Sequence, residues 1–238
     1  MARSGEAGRG VRAYNPSVPF FDDLEHEMTT GRLWARVGAW IYDPSLALGE
    51  RRGMAARRRE LLASAHGRVL ELGAGTGLNL AHYSTGVGEL VLSEPEPAMR
   101  ARLARRVARA GGAASVVAAS AEELPFAEGT FDTVVSTLVL CSVRDPLAAL
   151  REVRRVLAPG GRLLMIEHVR AAAPRPARRQ DRMAGAWAAF AQGCRCNQST
   201  LELVEAAGLR MERVSDGRWR GMPALVAPLV SGAAVVAP

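Results

Sequence analysis

Lysine, cysteine and long apolar runs are scarce or missing in this chain. The three cysteines, Cys141, Cys194 and Cys196, are an odd number in a chain of 238 residues, which is not the pattern of a disulfide framework. No apolar stretch approaches the roughly 20 residues that a membrane helix needs. No basic segment followed by an apolar core and a cleavage site opens the sequence. We therefore expect a cytoplasmic protein without a membrane span.

The basic side chains are all arginines. The chain carries 31 of them and has a net charge of +7, which raises the question of nucleic-acid binding because arginine is a frequent phosphate contact. These arginines are spread over several predicted helices whose other faces are rich in Ala, Leu and Val, which is typical of solvated helix faces. Nucleic acid is therefore an unlikely partner on composition alone.

A glycine-rich turn follows the first predicted strand, in the sequence RVLELGAGTGLN of residues 68–79. Gly73, Gly75 and Gly77 lack the Cβ atoms that would hold a ligand away or forbid left-handed φ angles. The helix start that follows offers unpaired backbone N–H groups. The turn suits a nucleoside-bearing cofactor, although a ligand-free tight turn and the turn of dinucleotide dehydrogenases share the pattern.

A carboxylate ends the second predicted strand. This strand reads ELVLS over 89–93 and is followed by Glu94, at the place where a doubly wound sheet holds an acidic residue over a ribose diol. Two carboxylate oxygens can accept from two hydroxyl groups. We therefore expect Glu94 to bind a ribose.

Strands and helices alternate from residue 68 onward, which predicts a parallel sheet. We predict strands near 68–72, 89–93, 114–118, 132–137 and 161–167, with helices near 78–84, 95–110, 146–157 and 199–207. Residues 209–214 and 224–230 predict a terminal hairpin that adds an antiparallel strand.

The N-terminal part of the chain is organised differently. Residues 1–19 have no periodicity and predict a mobile arm. Residues 20–65 predict a helical segment, which begins a single domain over 20–238. Asp43-Pro44 predicts the end of a helix. The buried face expected for that helix, from its helical spacing, comprises Leu33, Trp34, Val37, Ala39, Trp40 and Ile41.

Several segments in this order resemble one enzyme family. They are the glycine turn, Glu94, AEELPF at 121–126, FDTVVS at 131–136 and RRVLAPGGRL at 154–163. Together they are similar to the class I S-adenosylmethionine-dependent methyltransferases, in the small-molecule branch of the ubiquinone/menaquinone-biosynthesis enzymes. Segments 137–143 and 167–169 resemble the methyltransferase-like thiol S-methyltransferases. The resemblance covers roughly 54–209 and implies an α/β, Rossmann-like, doubly wound sheet of about seven strands, mostly parallel with an antiparallel C-terminal strand.

The resemblance also implies S-adenosyl-L-methionine as cofactor and S-adenosyl-L-homocysteine as product. Glu71 would lie near the cationic methionine end of the cofactor, Ala121 and Glu122 near its adenine edge, and Thr137 and Leu138 beneath its sulfonium. Ser120 stands where many members have an aspartate. The cofactor-binding residues expected are Glu71, Gly73, Ala74, Gly75, Thr76, Gly77, Asn79, Glu94, Pro95, Met99, Ala121, Glu122, Thr137 and Leu138.

The acceptor side is predicted from topology. The insertion 171–197 follows the fifth strand, at the edge of the sheet where open α/β folds bind ligands, and we expect it to form a lid over the substrate; a helix that merely caps the core is the alternative. His168 ends that strand and is the candidate general base, because its unperturbed pKa is near 6.5. The expected substrate-binding residues are Tyr83, His168, Met183, Trp187, Phe190 and Cys194.

These expectations favour methyl transfer to a small lipophilic acceptor, with a thiol preferred, by in-line displacement. An O-, N- or C-methyltransferase of a secondary metabolite, an RNA methyltransferase, and a non-methylating protein of this fold stay open. No metal site is expected, because Cys194-Arg195-Cys196 has a one-residue spacing and no histidine nearby in the sequence.

Overall fold

The computed structural model describes residues 36–111 and 113–237. The expected N-terminal arm 1–19, the start of the helical segment, Leu33 and Trp34 lie outside these ranges. Within them, no helix combines the length and apolar character that crossing a membrane requires.

A seven-stranded sheet forms the centre of the fold, in the order β3-β2-β1-β4-β5-β7-β6. Strand β7 is antiparallel to both of its neighbours, and the other paired strands run parallel, so the predicted fold class is confirmed. The strands are β1 (Gly67–Leu72), β2 (Val87–Ser93), β3 (Ala114–Val117), β4 (Phe131–Thr137), β5 (Leu157–His168), β6 (Leu209–Arg218) and β7 (Pro228–Val236).

The predicted terminal hairpin is present, but the prediction of its second strand was four residues too early at the start. Residues 224–227 form a loop instead, in which Leu225 and Val226 are buried against Cys196. Burial of this loop, rather than strand pairing, accounts for its apolar sequence. Pro228 begins β7, a position that tolerates proline because the first residue of a strand can do without a ladder donor.

Helices flank the sheet. They are α1 (described over 36–49), α2 (Ala55–Leu62), α3 (Pro97–Arg109), α4 (Pro146–Val156), α5 (Pro174–Phe190) and α6 (Thr200–Ala206). At the start of α3 the Glu96 side chain accepts a hydrogen bond from the Met99 N–H, and at the start of α4 the Asp145 side chain accepts one from the Ala148 N–H. A proline occupies the first helical position in both helices. The two starts match the sequence signals for helix N-termini.

The predicted helix over 78–84 was wrong. Only a 3-10 turn forms there, at Leu80–His82, and Tyr83 is already extended. Asn79 and Tyr83 both direct their side chains to Glu71 on β1. These contacts with the strand hold the segment in its turn.

Helix α1 also differs from its prediction. It continues through Pro44 to residue 49, so Asp43-Pro44 does not end it. Val37, Trp40 and Ile41 are 39%, 70% and 44% exposed, so the predicted buried face was wrong for them. The buried positions are Gly38, Ala39, Leu46 and Gly49, so among the described residues of the predicted face only Ala39 is buried.

Candidate functional site

The site lies at the carboxyl ends of the parallel strands, where β1, β4 and β5 finish on Leu72, Thr137 and His168. Parallel register brings these ends to one edge of the sheet. The glycine turn leaves β1 at the same edge. The predicted site residues on all three strands are therefore neighbours.

The three turn glycines have φ angles of +48° at Gly73, +58° at Gly75 and +86° at Gly77, in the left-handed region that favours glycine. A Cβ at Gly73 would lie 2.9 Å from a Val139 methyl carbon, and one at Gly77 would lie 2.8 Å from a Leu103 methyl carbon. These two glycines are required by packing as well as by backbone geometry.

Gly75 is different, because a Cβ there would meet nothing nearer than 3.9 Å. Its nearest neighbours are the Gly73 carbonyl oxygen and the ring of Tyr42. The space that a side chain at Gly75 would occupy is therefore empty. We call this space the cradle, because a backbone without a side chain allows a nucleoside to bind close to it.

Glu94 is 6% exposed and holds the turn from the end of β2. Its Oε2 accepts from the Gly75 N–H at 2.8 Å, and its Oε1 accepts from the Glu96 N–H at 2.9 Å. Burial raises the pKa of Glu94, while the two backbone donors lower it. Each oxygen has a further lone pair, so Glu94 can accept from a ribose diol and also fixes the turn to the strand.

Glu71 forms the centre of a buried network. Its Oε1 accepts from Asn79 Nδ2 at 3.0 Å and its Oε2 accepts from Tyr83 Oη at 2.7 Å. Burial raises the pKa of Glu71 to about 7, against the hydrogen bonds and the nearby Arg58 guanidinium, which lower it. A cationic group arriving beside Glu71 would favour its ionised form.

Asn79 links this network to two other elements. Arg58 of α2, which is 4% exposed, donates to Asn79 Oδ1 at 2.8 Å and is paired with Glu50 at 3.0 Å. Asn79 Nδ2 also donates to Thr137 Oγ1 at 2.9 Å. Arg58 was not predicted as a site residue, because its sequence context is an ordinary run of arginines.

Helix α1 adds two residues that the sequence interpretation missed. Asp43 accepts from Thr76 Oγ1 in the glycine turn and from Arg106 Nη2 of α3 at 2.7 Å. Tyr42 is half-buried beside Gly75, and desolvation raises the pKa of its phenol to about 12. The Asp43-Pro44 pair, which we interpreted as a helix end, was the only sequence signal at this position.

The remaining cofactor candidates surround this turn. Ala74 donates from its N–H to the Ser93 carbonyl at 2.9 Å, and Met99 is buried in α3 whereas Pro95 is exposed. Ala121 is buried in the central core.

Glu122 is tied to the chain after β4. Its carboxylate accepts from the Ser120 hydroxyl and, at 2.9 Å, from the Arg144 N–H. Burial raises the pKa of Glu122, but these hydrogen bonds lower it below its usual value. Glu122 therefore anchors the chain that follows β4, and Ser120, in the position of the family's aspartate, supports Glu122.

The chain leaving β4 carries a strained residue. Leu138 has φ +61°, which is costly for a side chain other than glycine and clusters at functional sites. Buried Glu167 stabilises this turn, because its Oε1 accepts from Ser136 Oγ at 2.7 Å and from the N–H groups of Val139 and Leu140. The sequence indicates no individual role for Glu167 within the segment 167–169, because its contacts depend on the pairing of β5 with β4.

A sulfur and imidazole cluster lies at the end of β5. His168 Nε2 is 2.9 Å from Cys194 Sγ, and Trp187 Nε1 donates to the same sulfur at 3.3 Å. One ligand atom each from Cys141, His168 and Cys194 lie within 4.8 Å of one another. No histidine lies near Cys194 in the sequence, but the fold supplies one, because β5 brings His168 to it from 26 residues away.

The pKa values of the two thiols in this cluster shift in opposite directions. Contact with Cys141 lowers the pKa of Cys194 to about 4, helped by His168 and Trp187 and opposed by burial. Contact with Cys194 and burial raise the pKa of Cys141. Of the two thiols, Cys194 is therefore the one that ionises more readily.

Helix α5 places the predicted lid residues unequally. Trp187 is half-buried beside Cys194, but Met183 and Phe190 are 41% and 75% exposed. The structure therefore leaves Met183 and Phe190 on the exposed side of the helix, and their role as substrate-binding residues stays a prediction. The inward face of α5 contains Ala177 and Gln180, and Met183 and Phe190 lie to one side of it.

The sequence of this chain is similar to those of known methyltransferases. Residues 70–165 match the model of a family described as a methyltransferase domain. The human thiol S-methyltransferase TMT1B is 42% identical over 129 residues, which are 50% of this chain and 52% of that protein. The mouse TMT1B is 33% identical over 168 residues, which are 65% of this chain and 68% of that protein. The chain thus spans about half the length of the human relative.

The solved structure of geranyl diphosphate methyltransferase in complex with SAM shares the fold. Its TM-score is 0.62 at 16% identity, with 78% of this chain and 86% of that chain covered. The sequence relatives are methyltransferases. The glycine turn and the seven-stranded sheet are those expected for the same family. The chain therefore belongs to the class I S-adenosylmethionine-dependent methyltransferases, the family whose cofactor is S-adenosylmethionine.

Proposed function

We propose that this protein transfers a methyl group from S-adenosylmethionine to the sulfur of a small lipophilic thiol. The observation that carries the proposal is the pair of sites at one sheet edge, a nucleoside cradle at Gly75 and Glu94 beside a sulfur and imidazole cluster at His168. The names of the TMT1B relatives support the choice of a thiol.

The residues of the first site fit the cofactor. The open direction at Gly75 admits a nucleoside, Glu94 has lone pairs for a ribose diol, and Glu71 offers negative charge to a cationic methionine end. Ala121 and Glu122 are proposed at the adenine edge, and Thr137 with the strained Leu138 beneath the reacting centre. When bound, S-adenosylmethionine supplies an electrophilic methyl group.

Catalysis in this proposal consists mainly of alignment. Effective molarities of about 10⁵ M or more show how far the positioning of two reactants alone lowers a barrier. The strained turn at Leu138, supported by Glu167, keeps the floor of the site in one conformation. The protein also has to favour the thiolate, because a thiol with a pKa near 8.5 is only a few per cent ionised at neutral pH.

His168 is proposed as the catalytic residue that favours this thiolate. The sequence predicts His168 as the general base, and in the structure its Nε2 contacts Cys194 Sγ at 2.9 Å. Nδ1 is buried and has no hydrogen-bond partner among the described residues. We therefore propose that His168 acts through its contacts with sulfur.

The segment 171–197 is proposed to cover the acceptor. Gln180 of α5 donates to the carbonyls of Cys196 and Leu225 at 2.8 Å and accepts from the Ala171 N–H at 2.7 Å. These bonds anchor the first half of the helix, so the second half, with Trp187 next to Cys194, is the part that can close over a substrate. Tyr83 belongs to the Glu71 network instead.

The test uses three acceptors that differ in the reacting atom, namely benzenethiol, phenol and aniline. The purified protein is incubated with S-adenosylmethionine and each acceptor, and mass spectrometry measures the methylated product and S-adenosylhomocysteine. We expect methylation of benzenethiol at the highest rate. Faster methylation of phenol or aniline would overturn the thiol assignment, and no product with any acceptor, despite cofactor binding, would contradict methyl transfer to acceptors of this kind.

A further inference from the structure

Three metal-binding side chains from distant parts of the sequence meet at the end of β5. Cys141 follows β4, His168 ends β5, and Cys194 follows α5. Cys141 and His168 are each 2% exposed, and Cys194 is half-buried. Their ligand atoms all lie within 4.8 Å of one another. No sequence spacing predicts this arrangement, because it is produced by the alignment of parallel strand ends.

The distances suit a tetrahedral metal ion. Zinc binds cysteine sulfur at about 2.3 Å and histidine nitrogen at about 2.0–2.1 Å, so neighbouring ligand atoms are roughly 3.5–3.8 Å apart. The distance of 2.9 Å between His168 Nε2 and Cys194 Sγ needs to widen by about 0.6 Å to reach this geometry. Two thiolates and a neutral imidazole balance the charge of a divalent ion.

The chemistry of the donors selects the metal class. Sulfur and imidazole ligands favour zinc over magnesium or calcium, which prefer oxygen. Three protein ligands are also the number found in zinc sites that keep one coordination position for a substrate or water. Cys196 is not part of the cluster, since its Sγ donates to the Gln180 carbonyl at 3.7 Å.

We propose that Cys141, His168 and Cys194 form a zinc site whose fourth position binds a small thiolate. The identity of this fourth ligand rests on the proposed function, whereas the metal site itself does not. Zinc would lower the pKa of a bound thiol, since the thiolate is the form that coordinates metal. The ion would thus hold the acceptor sulfur ionised at the same sheet edge as the cofactor.

The first experiment measures metal binding without S-adenosylmethionine. The full-length protein is stripped with a chelator, dialysed, and titrated with Co²⁺, and then Zn²⁺ is added in competition. We expect one Co²⁺ per chain with thiolate-to-cobalt charge-transfer absorption, which Zn²⁺ displaces. If this absorption is absent, and if the protein also takes no Zn²⁺ from a chromophoric chelator in a competition assay, the proposed site is overturned, whatever the variants show.

Matched cysteine variants locate the site. C141S and C194S should each weaken Co²⁺ binding at least tenfold and reduce the charge-transfer absorption, while C196S should bind as the wild type does. Thermal melting of the metal-free proteins shows whether each variant is folded, and H168N replaces any serine variant that is not. Equal losses in C196S and C194S would contradict the assignment.

A third measurement tests the open position. Addition of benzenethiol to the Co²⁺ protein should change the charge-transfer spectrum, and addition of phenol should not. An unchanged spectrum with benzenethiol would refute a substrate-binding role of the metal and leave a closed structural site. Because no arm contains S-adenosylmethionine, these results are separate from success or failure of methyl transfer.

Discussion

Replacement of Glu94 by glutamine is predicted to weaken both cofactor binding and stability. The amide keeps the size of the side chain but has one acceptor oxygen in place of two. The carboxylate accepts from the Gly75 and Glu96 N–H groups at 2.8 and 2.9 Å, so the amide leaves one of these buried donors facing an NH₂ group. A hydrogen bond to a charged group contributes about 1.5–3 kcal/mol.

The magnitudes follow from this loss. For a domain of this size, 1 kcal/mol shifts the melting temperature by roughly 2–4 °C, so E94Q should melt about 3–12 °C lower. Loss of a similar hydrogen bond to the ribose weakens binding about 10- to 150-fold, since 1.4 kcal/mol is a factor of ten. Isothermal titration calorimetry with S-adenosylhomocysteine measures the affinity, and differential scanning fluorimetry measures the melting temperature.

The matched control is E96Q, the same substitution two residues away. Glu96 caps α3 by accepting from the Met99 N–H at 2.7 Å, and glutamine can still accept there. E96Q should therefore bind S-adenosylhomocysteine as the wild type does. If E94Q melts lower but binds equally well, Glu94 supports only the turn, and if neither quantity changes, the hydrogen bonds are not what holds the turn to β2.

Three further predictions concern the same edge of the sheet. G75A and G73A both place a Cβ on a left-handed backbone, which lowers stability in each. G73A should lose more stability, because its Cβ would lie 2.9 Å from Val139, whereas G75A, whose Cβ enters open space, should lose S-adenosylhomocysteine affinity beyond this shared strain. Unchanged affinity of G75A in calorimetry would show that Gly75 has no ligand role. The raised pKa of Glu71, about 7, makes its ionisation unfavourable to folding, so its contribution to stability is present below the unfolded value of about 4.5 and is lost as the pH rises to about 7. S-adenosylmethionine affinity should rise as the pH increases from about 4.5 to about 7 and should lose this dependence in E71Q, as measured by calorimetry across that range. A dependence that persists in E71Q would assign it to another group. The second half of α5 should gain protection from hydrogen exchange when S-adenosylhomocysteine and benzenethiol are both present. An exchange rate that is the same with and without the two ligands would favour a helix that only caps the core.

The sequence by itself determined the features that depend on neighbours along the chain. A strand followed by Gly73, Gly75 and Gly77 requires a turn with left-handed backbone, and Glu94 at the end of the next strand must lie beside it, because adjacent parallel strands end at the same edge. Apolar strands separated by amphipathic helices likewise sufficed to predict a mostly parallel sheet. Alternating pattern, turn chemistry and helix caps are local properties, so they can be read without a structure.

Only the tertiary structure decided which distant side chains meet. The approach of His168 to Cys194, of Arg58 to Asn79 and of Asp43 to Thr76 depends on how separate elements pack, which residue spacing does not encode. The same reason explains the error at α1. An apolar residue on a helix is suited to burial, but which face turns inward is decided by the surface against which the helix packs.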